Sequence, residues 1–340
     1  MHAYESYVNC PGYSCIRGSY LEIPLLDAIL AIKVFPDLIS MDIITADIDE
    51  PKIAGLRMRV AAFVELTKPR IAIMLVLTSA AGFYLGTIGA FDYVLFANSM
   101  FSITLLAFGV ATLNQYWERD LDKLMTRTSN RPLPTSKVTP TEALVFGILQ
   151  CAVAELYLFL LVNPLTAFLG LLVIIGYVLV YTPLKTRTSV STAIGAIPGA
   201  LPPLMGWTAA ANDITLGAWA LFAMQFLWQF PHFLAIAWMY REEYAKAGIL
   251  MLPVVEPSGK ITARQIVMFT IMLIPVSLAP FFFGLSGPIF LVGAVILGVL
   301  FLFASIQAAR AKTNEKAKRL LLASVIYLPL LFMLMVADKR

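Results

Sequence analysis

From about residue 70 to its end, this chain runs in long apolar blocks separated by short polar breaks. A hydrocarbon layer of ~30 Å needs ~20 consecutive apolar residues in a helix. Nine blocks come near that length, at roughly 71–90, 94–113, 143–162, 165–182, 190–209, 216–238, 266–284, 288–308 and 320–337. The breaks are turn-forming: Gly89 to Asp92, Asn163-Pro164, Asn212-Asp213 and Gly284 to Pro288. Pro198, Pro202 and Pro203 fall inside the fifth block and predict a kink, which a membrane helix tolerates when its neighbours satisfy the freed carbonyls. The pattern predicts an all-α polytopic membrane bundle of nine transmembrane helices over residues 61–340. Residues 1–60 are more polar and read as an extension. Within it, 23–39 is moderately apolar but carries Asp27, Lys33 and Asp37, so it reads as an interfacial helix and not a span. Acids throughout the extension, from Glu5 to Glu50, argue against a mitochondrial presequence, and nothing in it resembles a secretory signal.

Composition agrees. The chain is 59% apolar and 14% charged, with a mean hydropathy of +0.81, whereas a soluble domain is about 45–50% apolar and about 25% charged. The net charge of +4 is no nucleic-acid signal, because the basic residues sit in short loops between apolar blocks. With nine spans, 23 of the 25 Lys and Arg residues fall on one side, leaving only Lys339 and Arg340 on the other. The positive-inside rule puts that rich side, and the N-terminus, in the cytoplasm, and an odd span count sends the C-terminus out. Cys10, Cys15 and Cys151 form no disulfide or zinc framework.

Two of the basic-side loops carry chemistry. The first reads NQYWERDLDKLMTRTSNRPLP, Asn114 to Pro134. Asn114, Glu118 and Asp122 are four apart, which on a helix lines three oxygen-bearing side chains along one face. Arg127 and Arg131 follow, again four apart. The second, from Trp238, reads WMYREEYAKAGILMLPVV and holds Tyr240, Arg241, Glu243 and Tyr244, with Gly248 placed to end a helix. Four spans separate the two loops, an even number, so both face one compartment. Between them YTPLKTRT adds Lys185 and Arg187. Hard oxygen ligands at helix ends, completed by phosphates, are what Mg²⁺ prefers, and arginine forks with a lysine suit the outer phosphate oxygens. The set reads as a site for a metal-bound polyanion. Taken alone, each of Arg127, Arg131, Lys185 and Arg187 is also what membrane topology would put there, and a solvated helix end would show the same spacing of acids. His232, inside the sixth span, reads either as an interhelical hydrogen-bonding residue or as a ligand. Glu155 is mid-span, where a buried acid can mark function, but its distance from the two polar loops favours a structural pairing. Asp120 lies off the acidic face. Apart from Glu155 the ionisable residues gather at one end, which disfavours a transporter with its binding site at the midplane.

The first loop resembles the Asn-x3-Asp/Glu-x3-Asp motif of the UbiA-type intramembrane prenyltransferases. Its tail, Met125 to Pro134, together with TKPR (67–70), YTPLKTRT, WQFPHF (228–233) and YREEYAKAGILMLPVV, is similar to the protohaem IX farnesyltransferase branch of that family. The resemblance covers about residues 60–335. Two features depart from the wider family: Glu118 stands where many members carry Asp, and Glu243 where two Asp are common. Tyr240 and Tyr244 stand where quinone-pathway members more often carry acids.

The resemblance implies a UbiA-type fold and transfer of the farnesyl group of farnesyl diphosphate to a vinyl group of protohaem IX, with addition of water, giving haem O. The same site would serve a quinone-precursor aromatic acid or a chlorophyllide as acceptor. It implies Mg²⁺ held by Asn114, Glu118, Asp122 and Glu243, phosphate contacts from Arg127, Arg131, Lys185, Arg187 and Arg241, and catalytic roles for Asn114, Glu118, Asp122, Lys185 and Glu243. His232 and Tyr240 are the candidate haem contacts. The setting is a prokaryotic plasma membrane, a downstream haem A synthase is the candidate protein partner, and no nucleic acid is involved.

Overall fold

A computed structural model describes residues 50–340. The interfacial helix expected at 23–39, with Cys10 and Cys15, lies outside the described residues. The chain folds as α1 (Glu50–Leu66), α2 (Pro69–Gly86), α3 (Tyr93–Asp122), α4 (Pro140–Leu161), α5 (Pro164–Leu184), α6 (Ser191–Ala211), α7 (Leu216–Met239), α8 (Arg241–Lys246), α9 (Leu252–Val255), α10 (Lys260–Phe282), α11 (Pro288–Ala311) and α12 (Asn314–Ala337). The polar breaks between apolar blocks act as helix caps. Asp92 accepts the amides of Val94 and Leu95 at the start of α3, Thr139 and Glu142 form a capping box on α4, and Asn163 accepts the Thr166 amide on α5. Proline occupies the first turn of α2, α4, α5 and α11, where its missing N–H has no helical partner to lose.

Among the described residues, eight helices are long and apolar enough to cross a membrane: α2, α3, α4, α5, α7, α10, α11 and α12. The remaining long helix, α6, has 21 residues but is rich in Gly, Ala and Pro. Its residues 201–209 are all buried, so it faces protein and needs little apolar surface of its own. The nine expected spans thus correspond to these nine long helices.

Helix α6 is the pillar of the bundle. Its Gly206 lies so close to α2 that an added Cβ would overlap the Ser79 carbonyl oxygen, and a Cβ on Gly82 of α2 would overlap that of Pro203. Small residues permit this backbone-to-backbone crossing, and the Ser79 hydroxyl donates to the Pro202 carbonyl at 2.9 Å. Pro203 has no N–H for the carbonyl of Gly199. The Gln225 side-chain amide of α7 takes that carbonyl at 3.1 Å, and Gln229 donates to Ala196 O at 3.1 Å. The carbonyl freed by Pro203 is therefore satisfied by a neighbouring helix, as a low-dielectric setting demands.

The two ends of the bundle differ. At one, Lys68, Glu118, Lys185, Arg127, Glu243 and Arg241 make interhelical contacts. At the other, the C-terminus acts as a clasp. Lys339 Nζ donates to the carbonyls of Tyr84 (2.6 Å) and Thr87 (2.8 Å), closing the C-terminal end of α2, and Asp338 accepts the Phe290 amide at 2.8 Å on α11. Lys339 also lies 4.7 Å from the Tyr84 ring centroid. Lys339→Ala is expected to cost about 1–2 kcal/mol through the lost charge-assisted bonds. Thermal unfolding in detergent should show this as a fall of a few degrees in the midpoint.

Candidate active site

Helix α3 continues past its apolar block to Asp122, and this extension carries the acidic face. Asn114, Glu118 and Asp122 are 2%, 7% and 1% exposed, too buried for a merely solvated helix end. Buried carboxylates need partners, and each has one. Lys185 donates to Glu118 at 2.5 Å. Arg131 Nη1 reaches both Asp122 oxygens, at 2.9 and 2.8 Å. Lys68 donates to Asn114 Oδ1 at 2.8 Å, while Asn114 Nδ2 donates to Thr182 Oγ1 at 3.2 Å.

The cations are placed by local structure. Lys68 is left-handed (φ 49°) at the residue before Pro69 opens α2, and this turns its side chain toward α3. Burial, and next the Arg131 guanidinium, pull Lys68 down to about 7. Lys185 follows a π-helical stretch, Ile175–Tyr181, at the end of α5. Pro183 offers no N–H there, and the wider turn takes up the mismatch. In this register Thr182 bonds the Tyr177 carbonyl, and Lys185 sits 4.5 Å from the Tyr181 ring centroid. Gly195 of α6 makes room for that ring, since a Cβ would meet its edge at 2.5 Å. Burial works against the Lys185 charge, but the facing Glu118 carboxylate holds its pKa well above the ordinary lysine value.

The second loop joins through Arg127. Its backbone N–H donates to Glu243 Oε2 at 3.1 Å and its Nη2 to Tyr244 OH at 3.1 Å. Its guanidinium lies 4.5 Å from the Tyr240 ring centroid and 5.4 Å from that of Tyr244. Helix α8 ends in a Schellman motif: Gly248 has φ 68°, its N–H bonds Ala245 O, and the Ile249 N–H bonds Tyr244 O. The chain then returns so that the Leu250 N–H bonds the Lys185 carbonyl at 2.8 Å.

The structure thus gathers Asn114, Glu118, Asp122, Arg131 and Lys185 into one cluster, with Arg127 and Glu243 beside it. Arg241 turns instead to Trp238 O (2.8 Å) and Asn314 (2.9 Å). Arg187 is exposed. His232 lies deeper, along α7. Asp120 is exposed and bonds Lys123. Glu155 packs against Gly170 and has no hydrogen-bond or ion-pair partner among the described residues, so the structural pairing expected of it is not found. Lys68, Thr182 and Tyr181 are additions that the sequence reading did not place in the site. The signal for Lys68 was the Lys-Pro step directly before an apolar block. A separate cavity of about 320 Å³, lined by Phe226, Phe230, Leu234 and Phe269, lies on the opposite face of α7 from His232.

In kind, Asn114, Glu118 and Asp122 suit Mg²⁺: hard oxygens, buried, on one face. Among the described residues no three His, Cys, Asp or Glu side chains stand close enough to hold an ion by themselves. An ion here would complete its shell with ligand oxygens.

Residues 74–334 match the UbiA prenyltransferase family. The chain is 45% identical over 286 residues to a protoheme IX farnesyltransferase of Solibacter usitatus, covering 82% of this chain and 98% of that one. It is 43% identical to one of Myxococcus xanthus, covering 81% and 94%. In fold it is similar to a digeranylgeranylglyceryl phosphate synthase (TM-score 0.70, 16% identity, 82% of this chain and 98% of that one). A UbiA homolog from Archaeoglobus fulgidus bound to GPP and Mg²⁺ is also similar (TM-score 0.60, 18% identity, 81% and 99%).

Proposed function

We propose that this chain, which belongs to the UbiA prenyltransferase family and is an integral membrane protein, transfers the farnesyl group of farnesyl diphosphate to a vinyl group of protohaem IX. Water adds in the same reaction, diphosphate leaves, and haem O is formed. The observation that carries the reading is the buried, charge-paired cluster of Glu118–Lys185 and Asp122–Arg131 beside Asn114 and Lys68. The 40–45% identity to protoheme IX farnesyltransferases supports the choice of substrates.

Breaking the allylic C–O bond gathers charge on the leaving diphosphate, and donors aimed at that charge lower the barrier. Lys68, Lys185, Arg131 and Arg127 would supply them, exchanging their present carboxylate and aromatic partners for phosphate oxygens. Mg²⁺ held by Asn114, Glu118 and Asp122, with Glu243 from the adjoining loop, would act as a Lewis acid on the same oxygens. The farnesyl cation then needs dry, apolar walls, or water quenches it too soon. The rings of Tyr177, Tyr181, Tyr240 and Tyr244 present faces that stabilise a cation, and His232 is the candidate haem contact. We place the site at the cytoplasmic face of a prokaryotic plasma membrane, with the C-terminus outside, residues 1–60 as a separate extension and a haem A synthase downstream.

Membranes containing the protein, given labelled farnesyl diphosphate with either protohaem or a quinone-precursor aromatic acid, are expected to yield a farnesylated haem by chromatography. Label on the aromatic acid, or on neither acceptor, would overturn the reading.

A further inference from the structure

His232 is held from α12. Its Nδ1 lies 2.8 Å from Ser324 Oγ, and the Ser324 hydroxyl lies 2.6 Å from the carbonyl of Leu321. A serine has one proton to give. With that proton on Leu321 O, Ser324 meets His232 as an acceptor, and Nδ1 carries the imidazole proton. The lone pair is then on Nε2. That atom has no hydrogen-bond partner among the described residues and is not among the fully enclosed polar atoms; the residue as a whole is half-buried. The ring is fixed from a second side by Trp228, stacked at 4.6 Å and 25°, whose Nε1 donates to the Ser324 carbonyl at 2.8 Å. One residue of α12 therefore holds both aromatic rings of α7, through its side chain and its backbone. His232 shares a face of α7 with Gln225 and Gln229, about 12 Å along the axis from Tyr240 at 1.5 Å per residue.

We propose that Ser324 is a positioning residue: it locks His232 in the Nδ1–H tautomer, so that Nε2 is presented to the iron of the porphyrin acceptor. Iron-bound imidazoles use this arrangement, with one nitrogen on the metal and the other donating to a fixed oxygen that sets ring orientation and basicity. The inference rests on the haem reading of the site above and adds to it the means by which the macrocycle would be held at a set depth.

The test uses full-length protein in lipid nanodiscs, titrated with ferrous protohaem and followed by absorbance and by the iron–histidine stretch in resonance Raman. Binding of inorganic diphosphate with Mg²⁺ at the polar end reports folding of each variant. Wild type is expected to show an imidazole-ligated spectrum and His232→Ala to lose it. Ser324→Ala should keep the ligand but shift the stretch and weaken haem binding about tenfold or more, and Ser324→Thr, which keeps the hydroxyl, should restore both. A packing role alone would leave the stretch where it is. Wild-type spectrum in His232→Ala, or wild-type stretch and affinity in Ser324→Ala, overturns the proposal. If wild type in the same discs still farnesylates haem, only the Ser324 inference falls. If it does not, the haem reading falls and takes this inference with it.

Discussion

Exchanging Asp122 for asparagine is expected to lower prenyl transfer about a thousandfold while leaving the yield of folded protein unchanged. The substitution keeps the shape of the side chain and one oxygen acceptor, and removes the charge. Asp122 is 1% exposed and receives both bonds from Arg131 Nη1. Breaking a fully buried pair costs about 3–5 kcal/mol, but the Arg131 side chain is 25% exposed and can turn toward water. The fold should therefore survive the loss. The chemistry should not, because the same carboxylate is one of the oxygen ligands proposed for the ion, and losing one electrostatic stabiliser of a transition state costs about 10²–10³ in rate. Turnover at saturating substrates, with protein quantified by size exclusion in detergent, checks this. A variant within tenfold of wild type would remove Asp122 from the chemistry.

The second large effect is on folding. Gly206→Ala is expected to abolish recovery of monodisperse protein. Its Cβ would overlap the Ser79 carbonyl oxygen, a backbone atom of α2 that cannot rotate away. Accommodating it means separating α2 from α6, where Ser79 and Gly82 make their closest contacts. Overpacking of this kind costs about 1–3 kcal/mol even where side chains can yield. Gly176→Ala is the matched control, because its Cβ would meet only the Pro198 ring at 3.4 Å, an ordinary contact. Size-exclusion profiles of the two variants, expressed side by side, decide the matter; similar profiles would show that the crossing has slack.

The nine long helices were legible because each apolar block is near bilayer length and most of the breaks carry Gly, Asn, Asp or Pro. Even α6, with three prolines, read as a span, since block length survives a kink. The acidic face was legible from four-residue spacing alone: Asn114, Glu118 and Asp122 do share one buried side of α3. Helix α1 was not legible. Its Leu56, Met58, Val60 and Val64 are exposed while Ala62 and Leu66 are buried, so its apolar residues gather on no single face. The π-helical stretch before Thr182 was hidden too, because a register slip of one residue depends on how Pro183 and the Gly195 contact are accommodated, not on local composition. Lys68 escaped because its direction comes from a left-handed backbone at one residue, and no periodicity announces that. Arg187 and Arg241 share residue type and end of the bundle with the clustered cations. Only coordinates separate them, by placing Arg241 on Asn314 and leaving Arg187 in the open.

The pairing of Glu118 with Lys185, and of Asp122 with Arg131, has a consequence for how this end of the bundle takes up further charge. Each of the two buried carboxylates is matched by a positive group, so neither sits bare in a region where water is scarce. A lone metal ion would have to displace an ammonium or a guanidinium and strand it. A lone anion that drew Lys185 or Arg131 away would strand a carboxylate in the same way. On the proposed function, a metal and a diphosphate that arrive together would offer each displaced group a new partner at once, so the pair would be taken up more readily than either ion alone.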